Sequence, residues 1–233
     1  MDSQLGQNFV KVMICWKFLF YHTVVKIVMT FDVMLQNLKR LHIDSENRFL
    51  EFNDIVPYEH NPNDVYSPIL VNLMLQAGPQ IENLVDLIIN ELKLKPKEKG
   101  LPARIREINR DGILSGFKIS MLTNDMQVTP YKQKFSWWDT YNKTKHDLSK
   151  SQFKITYVSV VEILASLASL HRFADVLNRS NEDYRKEILN KQYWQNTFDF
   201  PSSYEYESAR KFPTAWKSKV FRISNYFIYS PNV

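Results

Sequence analysis

The residues best suited to chemistry lie in Ser136-Trp137-Trp138-Asp139-Thr140-Tyr141-Asn142-Lys143-Thr144-Lys145-His146-Asp147. At helical spacing Asp139, Asn142, Lys143 and His146 fall on one side. Trp138, Tyr141, Lys145 and Leu148 take an adjoining side, and Trp137, Tyr141, Thr144 and Leu148 share a third line. The helix thus carries an aromatic half for packing and a polar half with an amide, two ammoniums and an imidazole. An imidazole moves a proton near neutral pH. Lysines hold phosphate as point charges, and an asparagine orients a hydroxyl, a phosphate oxygen or the histidine itself. The bland reading runs alongside. Trp137, Trp138 and Tyr141 read as core or dimer-interface packing, with base stacking as the functional counterpart. His146 reads as a partner for the dipole at the helix C-terminus. Asn142 is mildly unfavourable in mid-helix, so a hydrogen bond to a buried loop or a partner helix is expected of it.

Ser136 and Asp139 match a capping box, which predicts a helix from Trp137 to about Leu148 with a break at Ser149–Ser151. Thr156 then caps a second helix whose apolar stripe is Tyr157, Val161, Leu164, Leu167, Ala168, Leu170, Phe173, Ala174 and Leu177. Small residues at Ala165, Ser166, Ala168 and Ser169 keep it slim enough for a close neighbour. Upstream, Ser67 as N-cap and Pro68 at the first turn open the strongest periodic segment, from Leu70 to Leu92. Gly78-Pro79 inside it should kink or divide it. A basic run, Lys93–Lys99, follows as a solvated linker or a phosphate-contacting edge. Leu101 to Pro130, holding Arg104, Arg106 and Arg110, reads as a short helix and then hairpin-like chain with a strand at Gly116–Met121. A further short helix is expected over Asn181–Trp194, and Val220–Ile223 alternates only briefly.

The chain of 233 residues is long enough to bury a core unaided, and its 5 glycines fit helical architecture better than a turn-rich one. Its single cysteine, Cys15, excludes an internal disulfide and a cysteine-based zinc cluster and suits a cytoplasmic setting. His22, His42 and His60 lack partners at metal-ligand spacing, so neither a metal nor a cofactor is expected. His171 reads as a packing residue. There is no Walker loop, serine elbow or cysteine nucleophile pattern. The net charge of +5 is compatible with an acidic partner such as nucleic acid. Phe9–Phe31 is apolar but interrupted by Lys11, Lys17 and Lys26, so integral membrane insertion is not expected. It reads as a core or peripheral element, a membrane-surface helix, or a leader preceding a start at Met29.

The Tyr-Asn-Lys-x-Lys-His-Asp run after Trp-Trp, ahead of a Thr-capped apolar helix, resembles a prokaryotic group related to the HEPN superfamily. Tyr66-Ser67-Pro68 opening a long helix with Ile81-Glu82-Asn83-Leu84 inside it is similar too. The resemblance spans roughly Tyr66 to Leu177. It implies an all-α bundle of four or five helices, often homodimeric. Active members are metal-independent ribonucleases of toxin–antitoxin, abortive-infection and other defence systems. Their motif is an arginine, a following polar residue, and a histidine after four to six intervening residues. By position the histidine is His146 and the polar residue Asn142, the candidate catalytic pair. The arginine is absent, since Asp139, Thr140 and Tyr141 occupy its window. Lys143, Lys145, Arg104, Arg106 and Arg110 remain as candidate nucleic-acid-binding residues. Two functions follow: an RNA-acting protein using His146 and Asn142, or a non-catalytic relative kept for dimerisation or for binding an antitoxin or other protein. The organisation expected is a core over 61–180 between an N-terminal extension (1–60) and a C-terminal one (181–233).

Overall fold

A computed structural model describes residues 30–57, 65–110, 112–124, 126–131, 135–179 and 218–225. Six α-helices lie in this part: α1 Phe31–Ile55, α2 Pro68–Glu91, α3 Leu101–Ile108, α4 Ser136–His146, α5 Leu148–Ser151 and α6 Tyr157–Arg179. Three short strands, β1 Phe117–Met121, β2 Gln127–Val128 and β3 Phe221–Asn225, form an antiparallel sheet in the order β2-β1-β3. The architecture is the expected helical bundle, with this small sheet set against α6.

Each long helix begins on a local signal. Thr30 caps α1 by accepting from the Val33 amide, and Ser67 caps α2 by accepting from Ile69, with Pro68 in the first turn where its missing N–H costs nothing. Thr156 and Ser159 exchange hydrogen bonds at the start of α6. The apolar stripes of α1, α2 and α6 then converge. Leu35, Phe49, Leu70, Met74, Ile81, Leu84, Leu164 and Phe173 are all fully buried. Ala165, Ser166, Ala168 and Ser169 are buried too, consistent with close packing of α6 on α2. Helices α1 and α6 run antiparallel. Lys39 near the start of α1 pairs with Asp175 near the end of α6, and Asn53 near the end of α1 accepts from Tyr157 at the start of α6.

The structure departs from the sequence reading in several places. Gly78-Pro79 does not divide α2, which runs unbroken from Pro68 to Glu91. The Gln80 side chain donates to the Gln76 carbonyl (3.1 Å) in the turn that the proline disturbs. Helix α1 is a full member of the bundle, so the core takes in Phe31–Ile55, placed by the sequence reading in the N-terminal extension. β3, from the C-terminal extension, pairs with β1, setting Ile223 opposite Ile119. The helix expected over Asn181–Trp194 and the segment Phe9–Met29 lie outside the described residues.

Candidate functional site

Helix α4 carries the motif, and α2 decides how it sits. Trp137, Tyr141 and Thr144 form its buried line, as their spacing predicts, while Leu148 beyond its end is exposed. Tyr141 is the pivot. A Cβ built at Gly78 would lie 2.6 Å from Tyr141 Cδ2 and closer still to Cε2 and Cζ. The glycine in mid-helix is therefore a notch that lets the ring lie against the backbone of α2. Trp138 is half-buried and packs on both neighbours, edge-on to Trp137 (6.3 Å between ring centres) and tilted to Tyr141 (5.6 Å).

The polar end of the Tyr141 ring meets Glu82 of α2. The Tyr141 hydroxyl donates to Glu82 Oε1 (3.1 Å), and Lys145 Nζ donates to the same oxygen (3.1 Å) while lying 5.5 Å from the centre of the Tyr141 ring. Burial, and then the Glu82 charge, push the phenol above its ordinary range. The hydrogen bond to Glu82 holds the Lys145 ammonium above its own. Residues four apart share a helix face, so Tyr141 and Lys145 grip one carboxylate together. The enclosed Tyr141 bond ties α4 to α2, and the partly exposed Lys145 pair adds little to it.

The rest of the motif faces outward. Asn142 is half-buried and Lys143 and His146 are exposed, and among the described residues none of the three side chains has a hydrogen-bond or ion-pair partner. Within the described residues of this chain Asn142 makes no bond to a buried loop, and a partner helix is the other acceptor expected of it. Asp139 is exposed in the first turn of α4. Ser136 does not cap the helix as expected. The helix begins at Ser136 itself, without a side-chain cap, and the Ser136 hydroxyl donates to Glu162 of α6. Nor does α4 reach Leu148. It stops at His146, and Asp147 caps the short α5 by accepting from the Lys150 amide (3.3 Å). The bonds from Ser149 and Lys150 hold the Asp147 carboxyl below its usual range.

The three arginines part company. Arg104 pairs with Asp86 of α2, one helical turn beyond Glu82, and its side chain is only 19% exposed. Arg106 pairs with Glu98 (3.6 Å) and Arg110 with Glu107 (3.6 Å), both in the open. Helix α2 therefore brings Arg104 and Lys145 onto one face, each held by its own carboxylate. Sequence reasoning missed Glu82 and Asp86. Their four-residue spacing, from Glu82 in the quoted Ile81–Leu84 stretch to Asp86 just beyond it, was the available signal.

It also missed a second polar cluster, inside the bundle. His42 of α1 and His171 of α6 stack with ring centres 5.0 Å apart, so His171 does pack as expected. Glu46 is fully buried. It lies 3.1 Å from His42 Nε2 and accepts from the Ser218 hydroxyl and the Lys219 amide (2.9 Å) just before β3. Burial, followed by the charges of His42 and Lys39, pushes the His171 imidazole well below its ordinary range. Among the described residues no group of three or more His, Cys, Asp or Glu is placed to hold a metal ion, and no single helix is long and apolar enough to cross a membrane.

Comparison with family models, curated proteins and solved structures gives no match to this chain.

Proposed function

We propose that this is a HEPN-like RNA-acting protein whose working surface is the solvent face of α4. The observation that carries the reading is the division of labour within one helix. Trp137, Tyr141 and Thr144 are committed to holding it and Lys145 is paired with Glu82, while Asn142, Lys143 and His146 stand uncommitted among the described residues. An exposed imidazole next to an amide and an ammonium suits transesterification of RNA. His146 takes the proton of a ribose 2′-hydroxyl, and the oxygen attacks the adjoining phosphorus. The P–O5′ bond breaks, and the proton returns to the leaving 5′-oxygen from the imidazolium or from the histidine of a second copy. Lys143 meets phosphate charge and Asn142 orients the imidazole or the ribose. None of these steps calls for a metal. A cytoplasmic homodimer in a toxin–antitoxin or phage-defence setting is the corresponding context.

A second reading has its own support. Arg104, Arg106 and Arg110 each hold a carboxylate, so none offers an uncommitted guanidinium in place of the arginine missing from the motif. On that reading the α4 face binds a protein partner and catalyses nothing. Incubating the purified protein with total RNA in chelator, alongside His146→Ala, separates the two. Cleavage or tight binding that His146→Ala abolishes is expected. Intact RNA, bound equally weakly by both proteins, overturns the first reading in favour of the second.

A further inference from the structure

Glu82 and Asp86 are four residues apart on α2, so their side chains leave one stripe of that helix about 5–6 Å apart. Arg104 reaches the stripe from α3 and Lys145 from α4. Three helices thus contribute to one cluster of two anions and two cations, and His146 follows Lys145 directly in the chain. Exposure differs within the cluster. The side chains of Asp86 and Lys145 are 53% and 44% exposed, whereas Arg104 is largely enclosed and its Nε is buried without a hydrogen-bond partner.

We infer that Glu82 and Asp86 act as built-in stand-ins for phosphate, keeping Lys145 and Arg104 oriented until an RNA backbone displaces them. The inference rests on the RNA reading above. Partly exposed ion pairs of this kind are weak and screened by salt, so a ligand able to replace them faces a low barrier. A phosphate matches the guanidinium fork as well as a carboxylate does, and its binding also releases counterions. Enclosure of Arg104 leaves little side-chain freedom to lose when a phosphate takes the place of Asp86. The same arrangement gives selectivity. Single anions would gain one cation and leave the other carboxylate repelling them, whereas a polyanion engages both.

The test is binding of a fluorescently labelled single-stranded RNA 20-mer by the full chain across a salt series. It compares wild type, Asp86→Asn, Glu82→Gln/Asp86→Asn, and a control, Glu51→Gln/Asp54→Asn, that removes the same two charges from the exposed side of α1. Gln at 82 retains an acceptor for the Tyr141 hydroxyl, and Asp86→Asn alone leaves that bond untouched. The double variant is expected to bind about tenfold tighter near 0.1 M salt, with a log–log salt slope steeper by about 0.7 for each cation released. Adding Arg104→Gln and Lys145→Gln should remove the gain and leave binding no tighter than wild type, and the control should stay within about twofold of wild type. If the control tightens as much, or if the double variant matches a wild type that does bind, the inference falls and the RNA reading stands. If no variant binds RNA, both fall.

Discussion

Replacing Gly78 with alanine tests the packing that sets the site. In an isolated helix the change stabilises by about 1 kcal/mol, because alanine is the better helix former. Here the new methyl group would meet the Tyr141 ring, at 2.6 Å from Cδ2 and nearer to two other ring carbons. Ordinary contact lies near 3.4 Å or beyond. The ring is 1% exposed and pinned by Trp138 and by its bond to Glu82, so it has nowhere to slide. Overpacking costs about 1–3 kcal/mol, and an immobile ring puts this site at about the top of that range. Offset by the propensity gain, the net loss is about 2 kcal/mol. For a chain of this size that lowers Tm by roughly 4–8 °C. The assay is thermal and urea unfolding followed by far-ultraviolet circular dichroism, in wild-type and Tyr141→Ala backgrounds. Once the ring is gone, Gly78→Ala should stabilise by about 1 kcal/mol, a coupling of about 3 kcal/mol between the two positions. A higher Tm for Gly78→Ala in the wild-type background, or the same effect in both, would refute the notch.

Three further outcomes concern the bundle interior. The unfolded state takes up a proton at His171 near its ordinary value of 6.5, which the folded state refuses. Stability should therefore be intact above that pH and fall as pH drops below it, by up to about 1.4 kcal/mol per pH unit, and urea midpoints between pH 7.5 and 5.5 should flatten in His171→Gln. Lys39→Met leaves the buried Asp175 carboxylate unpaired and should cost about 3–5 kcal/mol, whereas Lys39→Met/Asp175→Leu should recover most of it in the same unfolding assay. Tyr131→Phe removes a buried hydroxyl that donates to the Ser166 carbonyl (2.8 Å) and bonds Ser169 Oγ (3.0 Å), and calorimetry should register a loss of about 1–2 kcal/mol.

Local signals were legible in the sequence. Ser67-Pro68 and Thr156 start helices where capping chemistry says they should, and the stripe from Leu70 to Ile88 is the buried face of α2, with Leu92 half-buried just past its end. The buried line Trp137-Tyr141-Thr144 follows from spacing alone. The missed features depend on contacts distant in sequence. Gly78 next to Pro79 reads as a break, because nothing nearby reveals a tyrosine 63 positions later that needs the gap (141 minus 78). Ser136 reads as a cap, yet Glu162, brought alongside by the packing of α4 on α6, takes its hydroxyl. His42 and Glu46 meet at four-residue spacing within α1, but only the antiparallel pairing of α1 with α6 brings His171 onto them. As for the site, the sequence separated the aromatic from the polar half of α4. It did not show that Lys145 belongs with the holding half while Lys143 does not, because that distinction lies in Glu82.

The most direct measurement of the central claim is a histidine-selective NMR titration of the intact protein with short single-stranded RNA. His146 is identified by the resonance lost in His146→Gln. RNA binding at the α4 face predicts that the His146 imidazole signals shift with added RNA, while those of His42 and His171, enclosed between α1 and α6, stay in place. A His146 signal that does not move while RNA is demonstrably bound would contradict the account.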